Sequence, residues 1–443
     1  MEITSLTFLY LFLPLSILLC GLIPARFRTV FLLLLSGFLY YWHEGGLILL
    51  PFSVVLFDYL MVRLIERSAG FPGLRKAFMI CAVLKSVGLI AFYGVRFSVY
   101  GMAAPLGLGV FCLTSAGYVI DCYHGYAPAE HNPIHFAMMT VFFPKLYAGP
   151  LTYFNRMHFQ LRNPQMTLQK VGEGGRILIQ GLAKKVLLGD AAFRLFGQVR
   201  EIPLSEATVL VAWTMVITMA FAVYFILSGY CDMARGIALL FGIELPDNFL
   251  YPYRATSIND FFSRFNVTVN RFIRRYIYIN LGAAQGSMAS GVFNILLVTI
   301  LMGLWFGINL NMMMWGIYFA AFVIFERYFL RKYMEAIPTL FCWVYSMAVI
   351  LVSFTFFMCG SLGESFTCLK LLFGIGAPVA GENTRVLYLL ASNWLVLVLC
   401  VICSLGLVGM VKKMVDRVLP RTSAVLSAVF SAALLLAATA FLL

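Results

Sequence analysis

Apolar runs long enough to cross a lipid bilayer recur along the whole of this 443-residue chain. That recurrence constrains the fold more than any single motif. A helix needs about 20 apolar residues to span the hydrocarbon core. Such runs occupy residues 4–23, 29–42, 46–64 and 77–94, then 206–227, 286–305, 308–326, 341–359, 387–408 and 423–442. Charged residues make up only 12% of the chain and hydrophobic ones 62%. A soluble domain carries about 25% charged residues, so a large soluble enzyme is disfavoured. With the broken segments of the middle region, the pattern predicts an all-α, polytopic membrane protein of about 11 transmembrane helices.

The net charge of +13 would suggest nucleic acid in a soluble protein. In a membrane protein, lysine and arginine gather in cytoplasmic loops and beside headgroups, so membrane lipids and no nucleic acid are the expected partners. Arg26 and Arg28 follow the first run, and Arg63, Arg67, Arg75 and Lys76 crowd the link between the third and fourth. The positive-inside rule then places the N-terminus and the His43-Glu44 loop outside the cytoplasm. The first run lacks a basic leader and a small-x-small cleavage site, so it reads as a membrane helix and not a cleaved signal. The ten cysteines lie mostly inside apolar runs without Cys-x-x-Cys spacing, as small buried hydrophobes do.

One stretch breaks the apolar pattern: Tyr251 to Gly282, YPYRATSINDFFSRFNVTVNRFIRRYIYINLG. Arg254, Asp260, Arg264, Arg271, Arg274 and Arg275 need water, partners or headgroups, so it is not a lipid-facing span. Aromatic and aliphatic residues recur between the charges at roughly helical spacing. The stretch reads as an amphipathic helical passage lining a protein-enclosed cavity or the interface. Arg264, Arg271 and Arg275 fall near one face, where they could meet a phosphate or serve as cytoplasmic anchors. Residues 141–151, VFFPKLYAGPL, form a second broken passage, tolerated at membrane depth only where protein covers it. Asp232 and Arg235 lie three apart on one helical face, as a functional site or a structural ion pair. Lys184 and Lys185 sit on a short amphipathic helix able to reach headgroups. All five histidines lie early, at 43, 124, 131, 135 and 158. His131 and His135 could share a helical face, but the spacing is common by chance and no metal site is expected. Asp232, Asp260 and Glu326 are possible proton acceptors, each with an arginine nearby in sequence: Arg235, Arg264 and Arg327.

The central stretch, with GLWFG at 303–307, resembles the membrane-bound O-acyltransferase family in the branch that acylates bacterial envelope polymers. That branch usually reads SPFRATSIxDFWRRWHxTLSRWLRDYLYIPLGG, followed by GLWHG. FFPKLYAGP, GLAKKVLLGD and SGYCDMARG, the last containing Tyr230, match further family motifs in order across residues 100–375. The resemblance implies a single integral domain over 1–443. Within it, N-terminal helices occupy 1–100, a core with re-entrant helices around a central tunnel 101–375, and C-terminal helices 376–443. It also implies transfer of an acyl group, most often acetyl, across the bacterial cytoplasmic membrane toward an envelope polysaccharide or relay protein. The donor would be acetyl-CoA or an acyl-carrier thioester, with no bound cofactor. A separate extracytoplasmic SGNH-type esterase partner is implied too, since no Gly-x-Ser-x-Gly elbow is present.

Both usual histidines are replaced, by Asn266 and Phe306. Phenylalanine cannot accept a proton, so the family's usual base is absent. Asn266 could still orient a donor or acceptor through its amide. Two functions stay open: an acyltransferase with a relocated base, Asp260 or Asp232 among the choices, or a silent relative serving as scaffold, partner subunit or conduit. In either case Arg254, Arg264, Arg271, Arg275, Trp305, Tyr230, Lys184 and Lys185 are the expected donor-binding residues. An unrelated transporter is a third class, which would bind no acyl donor.

Overall fold

The computed structural model describes residues 2–279, 287–378, 382–418 and 420–443. The last three residues of the charged central stretch, 280–282, lie outside them. Among the described residues the structure is helical, with one isolated antiparallel bridge between Phe249 and Phe265. The chain divides into two compact units.

The first unit comprises residues up to Gly181 and Tyr230–Asp247. Its helices are α1 (Leu13–Leu22), α2 (Ala25–Glu44), α3 (Leu49–Arg67), α4 (Pro72–Tyr100) and α5 (Leu108–His124). The shorter α6 (Pro133–Val141), α7 (Phe143–Ala148) and α8 (Phe154–Arg162) follow, then α9 (Leu168–Ala183). Pro24 separates α1 from α2, and Gly45, at φ +59°, ends α2. Helices α3, α4 and α5 pack together around Asp58, a fully buried carboxylate. Lys85 Nζ donates to it at 2.6 Å and Ser115 also donates. The charge is thus paired and hydrogen-bonded, as a buried charge must be.

The passage at 141–151 breaks as its prolines and glycine require. Asn132 caps α6 by accepting from Ile134 N at 2.9 Å, and Phe142, at ψ 115°, separates α6 from α7. Protein groups satisfy the freed backbone: Phe143 N donates to Ser36 Oγ at 3.1 Å. Fully buried Lys145 donates to Met139 O and to Thr152 Oγ1, both at 2.7 Å. The break is covered by protein, the condition under which irregular backbone survives in a membrane.

The second unit comprises Leu182–Gly229 and Asn248–Phe441. A π-helical turn at Lys184–Gly189 runs into α10 (Asp190–Arg200), and α11 (Val209–Leu240) follows, its residues from Tyr230 onward counted with the first unit. The central stretch forms α12 (Ile258–Arg264) and α13 (Val267–Ile273), extended by a π-helical turn at Arg274–Tyr278. Helices α14 (Met288–Leu304) and α15 (Leu310–Phe325) form an antiparallel pair, and α15 continues through a π turn at Glu326–Leu330 into α16 (Arg331–Met334). Then come α17 (Thr339–Ser353), α18 (Thr355–Met358), α19 (Leu362–Leu372), α20 (Asn383–Ser392), α21 (Trp394–Ser404), α22 (Leu407–Val418) and α23 (Pro420–Ala440).

Five described helical runs are long and apolar enough to cross a membrane, or six if α20 and α21, bent by 68°, form one broken span. Hydropathy alone suggests about 11. The difference arises partly because Ala25–Arg67 forms one helical run, interrupted at Gly45, where two spans are expected. The rest lies in segments such as Phe8–Leu22, Met288–Leu304 and Val425–Ala440, which are apolar but shorter than a full crossing.

Candidate active site

The central stretch is built by caps and one reversal. Ser257 Oγ accepts from Asp260 N at 3.0 Å, and Asp260 Oδ2 accepts from Thr256 N at 3.3 Å, a reciprocal arrangement that starts α12. Glu326, reaching in from beyond α15, accepts from Ile258 N at 2.8 Å and Asn259 N at 3.4 Å. The first turn of α12 therefore has partners for the amides that a helix start leaves open.

Between α12 and α13 the chain reverses at Asn266, which adopts a left-handed φ of 49°. Asparagine tolerates that conformation better than most residues. Asn248 Nδ2 donates to Asn266 Oδ1 at 2.9 Å, while Asn248 Oδ1 accepts from Thr268 N at 2.9 Å and from its hydroxyl at 2.8 Å. Asn266 is 5% exposed, and its amide oxygen is engaged in holding this turn.

Phe306 lies just past α14, next to the half-buried Trp305. Its ring centroid is 5.4 Å from Phe357, 5.7 Å from Trp315 and 5.9 Å from Phe265. The position where the resemblance places a base is thus part of an aromatic cluster. Offset and edge-on aromatic pairs of this kind add about 0.5–1.5 kcal/mol beyond their buried area.

The other expected site residues have local engagements. Arg264 Nε donates to Asp260 Oδ1 at 2.8 Å, and Lys185 pairs with Asp190 at 2.8 Å. Asp232 pairs with Arg235 at 3.2 Å, and Arg235 also meets Asp247. Arg254 and Arg271 are exposed. Lys184 and Tyr230 are half-buried, and so is Arg275, whose guanidinium lies 5.6 Å from the Tyr276 ring. Glu326 carries backbone hydrogen bonds, while Arg327 donates to Tyr278 Oη at 3.1 Å. His131 precedes α6 and faces Glu66, whereas His135 and His158 face Glu130, at 3.7 and 3.1 Å. Asn132, which caps α6, lies between His131 and His135 in sequence. Among the described residues no group of three His, Cys, Asp or Glu side chains is arranged to hold a metal ion.

What the second unit does build is a cavity of about 630 Å³. Asn270, Arg274 and Tyr278 line it from one face of α13 and the π turn, with Thr299, Glu326 and Arg327 completing its polar side. Phe262, Val298, Met302 and Val323 form its apolar wall. The Arg274 guanidinium lies 6.0 Å from the Tyr278 ring centroid. Of the residues singled out from the sequence as proton acceptors or donor-binding groups, Glu326 lines this cavity; for the rest, their neighbours do. Phe306 stands one aromatic layer away, since Trp315 contacts both Phe306 and the cavity-lining Phe262, the latter at 5.9 Å. Two guanidiniums, a phenol and an amide in a lining that also holds apolar side chains suit a ligand with an anionic or carbonyl head and an apolar part.

These features define a helical integral membrane protein with a mixed polar and apolar cavity beside its charged central segment. The model for "MBOAT, membrane-bound O-acyltransferase family" matches residues 126–369, more than half of the chain, and the protein belongs to that family. The chain is 29% identical over 401 residues to "Probable alginate O-acetylase AlgI" of Azotobacter vinelandii, covering 85% of this chain and 79% of that one. It is 28% identical over 420 residues to "Peptidoglycan O-acetyltransferase" of Helicobacter pylori, covering 83% and 79%. A more distant relative, "Teichoic acid D-alanyltransferase" of Bacillus subtilis, is 23% identical over 240 residues, covering 50% and 59%.

Proposed function

We propose that this protein is an O-acyltransferase of the bacterial cytoplasmic membrane, its N-terminus outside the cytoplasm. It moves an acetyl-type group from a thioester, acetyl-CoA or an acyl carrier, toward an envelope polysaccharide or relay protein. An extracytoplasmic SGNH-type esterase is the proposed partner that completes the transfer. The observation that carries this reading is the cavity, whose lining brings Arg274, Arg327, Tyr278 and Asn270 together with apolar side chains inside the family-matched region. The guanidiniums suit the anionic part of such a donor and the apolar wall its acyl and thioester end.

One observation favours a second reading, a silent relative serving as scaffold or conduit. The Phe306 ring fills the aromatic cluster where the resemblance places a base. The two readings separate in one experiment. Protein in nanodiscs is given radiolabelled acetyl-CoA or an acetylated carrier, and donor hydrolysis and bound donor are both scored. Turnover by the wild type, lost with Arg274→Ala, supports the transferase. Donor bound without turnover, with activity appearing only in Phe306→His, supports the silent relative. Neither binding nor turnover removes both.

A further inference from the structure

Proton transfer from an acceptor hydroxyl needs a base within hydrogen-bond reach, and Phe306 cannot be one. All five histidines belong to the first unit. Asp260 and Asp190 are tied to Arg264 and Lys185. Among the described residues that line the cavity, Glu326 is the carboxylate. It is 6% exposed, and no ion pair joins it to Arg327, its neighbour in sequence.

We propose that Glu326 is the proton acceptor of this cavity, in place of the histidine that the family motif would put at 306. The assignment rests on the transferase reading above and deepens it. Two backbone amides, Ile258 N and Asn259 N, hold the carboxylate in position. An ionised carboxylate offers about four lone-pair directions, so acceptor capacity remains for a substrate hydroxyl. Capping a helix does not itself require a carboxylate. A neutral Asn, Ser or Thr side chain accepts the same amide bonds without burying a charge. A carboxylate placed here, at a cavity wall that also carries Arg274 and Arg327, has a use beyond the cap.

In the step this arrangement supports, the acceptor oxygen attacks the thioester carbonyl carbon while its proton passes to Glu326. The new C–O bond forms, the tetrahedral intermediate collapses with cleavage of C–S, and the leaving thiolate takes the proton back from Glu326. The products are the oxygen ester and the free thiol, and no further reactant is needed.

Tyr345 of α17 lies beside the Glu326 carboxylate, and Arg274, Arg327 and Tyr278 line the same cavity. The test compares wild type, Glu326→Gln and Glu326→Asp in nanodiscs with radiolabelled acetyl-CoA, reading kcat, KM and the pH profile. Glutamine keeps a carbonyl oxygen for the Ile258 amide, so the cap survives while the base is lost. The expected result is a fall in kcat of about 100-fold or more with Gln, a KM changed by less than about threefold, and loss of the acidic limb of the profile. Glu326→Asp restores part of kcat and the acidic limb. A Gln variant that keeps wild-type kcat and pH profile overturns the assignment while leaving the transferase reading intact. A silent wild type removes both.

Should the variants fail to fold, the wild type is treated with dicyclohexylcarbodiimide and its adducts located by mass spectrometry. Inactivation in step with an adduct at Glu326, slowed by acetyl-CoA, supports the assignment. Full activity with Glu326 modified overturns it.

Discussion

The α14–α15 pair holds two walls of the cavity, and its closeness depends on two glycines. A Cβ added at Gly316 would lie 2.5 Å from Thr299 O, 2.6 Å from Ile300 Cα and 2.8 Å from Ile300 N. One added at Gly303 would lie 2.1 Å from Met312 O. Every one of these neighbours is backbone, so no side chain can rotate aside. Bringing the Gly316 contact from 2.5 Å to an ordinary 3.4 Å requires the helices to part by about 0.9 Å. Overpacking of this kind costs about 1–3 kcal/mol, and rigid backbone on every side argues for the upper end. Alanine returns about 0.5–1 kcal/mol through its better helix propensity. Gly316→Ala should therefore lose about 2 kcal/mol net, roughly 30-fold in the folding equilibrium.

Gly88 of α4 provides the opposite control, since a Cβ there meets nothing within 4 Å. Gly88→Ala should be neutral or more stable by about 0.5–1 kcal/mol. Unfolding by added SDS in mixed micelles, followed through the six tryptophans, reads both variants. Thr299 and Met302 of α14, and Val323 and Glu326 on the α15 side, line the cavity. Parting the helices should weaken donor binding along with stability. A Gly316→Ala protein as stable as wild type, or a matching loss in Gly88→Ala, would refute the close-packing argument.

Arg274→Ala should weaken acetyl-CoA binding about tenfold or more by removing a charge-assisted contact, whereas Arg271→Ala, exposed and off the cavity, should not; equal effects in equilibrium binding would sink the cavity assignment. Asn266→Ala should destabilise more than Asn266→Gly, by about 1 kcal/mol in SDS unfolding, because both lose the Asn248 contact but only alanine is strained at φ 49°. Burial, then Arg162, hold the His158 imidazole below its ordinary value of 6.5, with His135 adding to this and Glu130 opposing it. The unfolded chain then binds a proton that the folded one refuses, so His158's contribution is intact above about pH 6.5 and is lost as pH falls toward the lowered value. Unfolding at pH 7.5 and pH 5.5 should show a smaller pH effect in His158→Asn, and an unchanged difference would remove His158 as its source.

The class of fold was legible in the sequence because apolar length is a direct physical requirement of the bilayer. The break at 141–151 was legible for a similar reason: Pro144 and Pro150 cannot continue a helix, and the structure interrupts it there. The Asp232–Arg235 contact followed from helical spacing alone. The cavity did not, and the cause is a phase error. Treating 264–275 as one helix puts Arg264, Arg271 and Arg275 on a common face. The left-handed residue Asn266 ends that phase, and the π turn at Arg274–Tyr278 shifts it again. The face that lines the cavity is then Asn270, Arg274 and Tyr278, while Arg264 turns back to Asp260. One signal was present. Asn266 stands between two short helical patterns, and asparagine is among the few residues that readily take φ above zero. Glu326 was visible as a carboxylate, but its contact with α12 spans 68 residues of sequence and could not be read from spacing.

The two positions where the resemblance expects histidine, 266 and 306, belong to one physical unit. Phe265 precedes Asn266, and its ring packs 5.9 Å from Phe306 and 5.2 Å from Phe249, the residue after Asn248. The amide network that holds the turn at Asn266 and the aromatic cluster that fills position 306 thus meet at Phe265. An imidazole at 306 would be set against phenyl and indole faces at Phe265, Phe357 and Trp315, which bring no hydrogen-bond acceptor to orient it beyond the indole's and the rings' weak π faces. A base needs such a partner to fix its tautomer and direction. The polar groups able to orient a reacting proton, Glu326 with its two amides and the nearby Tyr278, lie on the other side of the Trp315 layer. If this chain transfers acyl groups, its proton chemistry belongs on the side of the aromatic wall that carries the carboxylate.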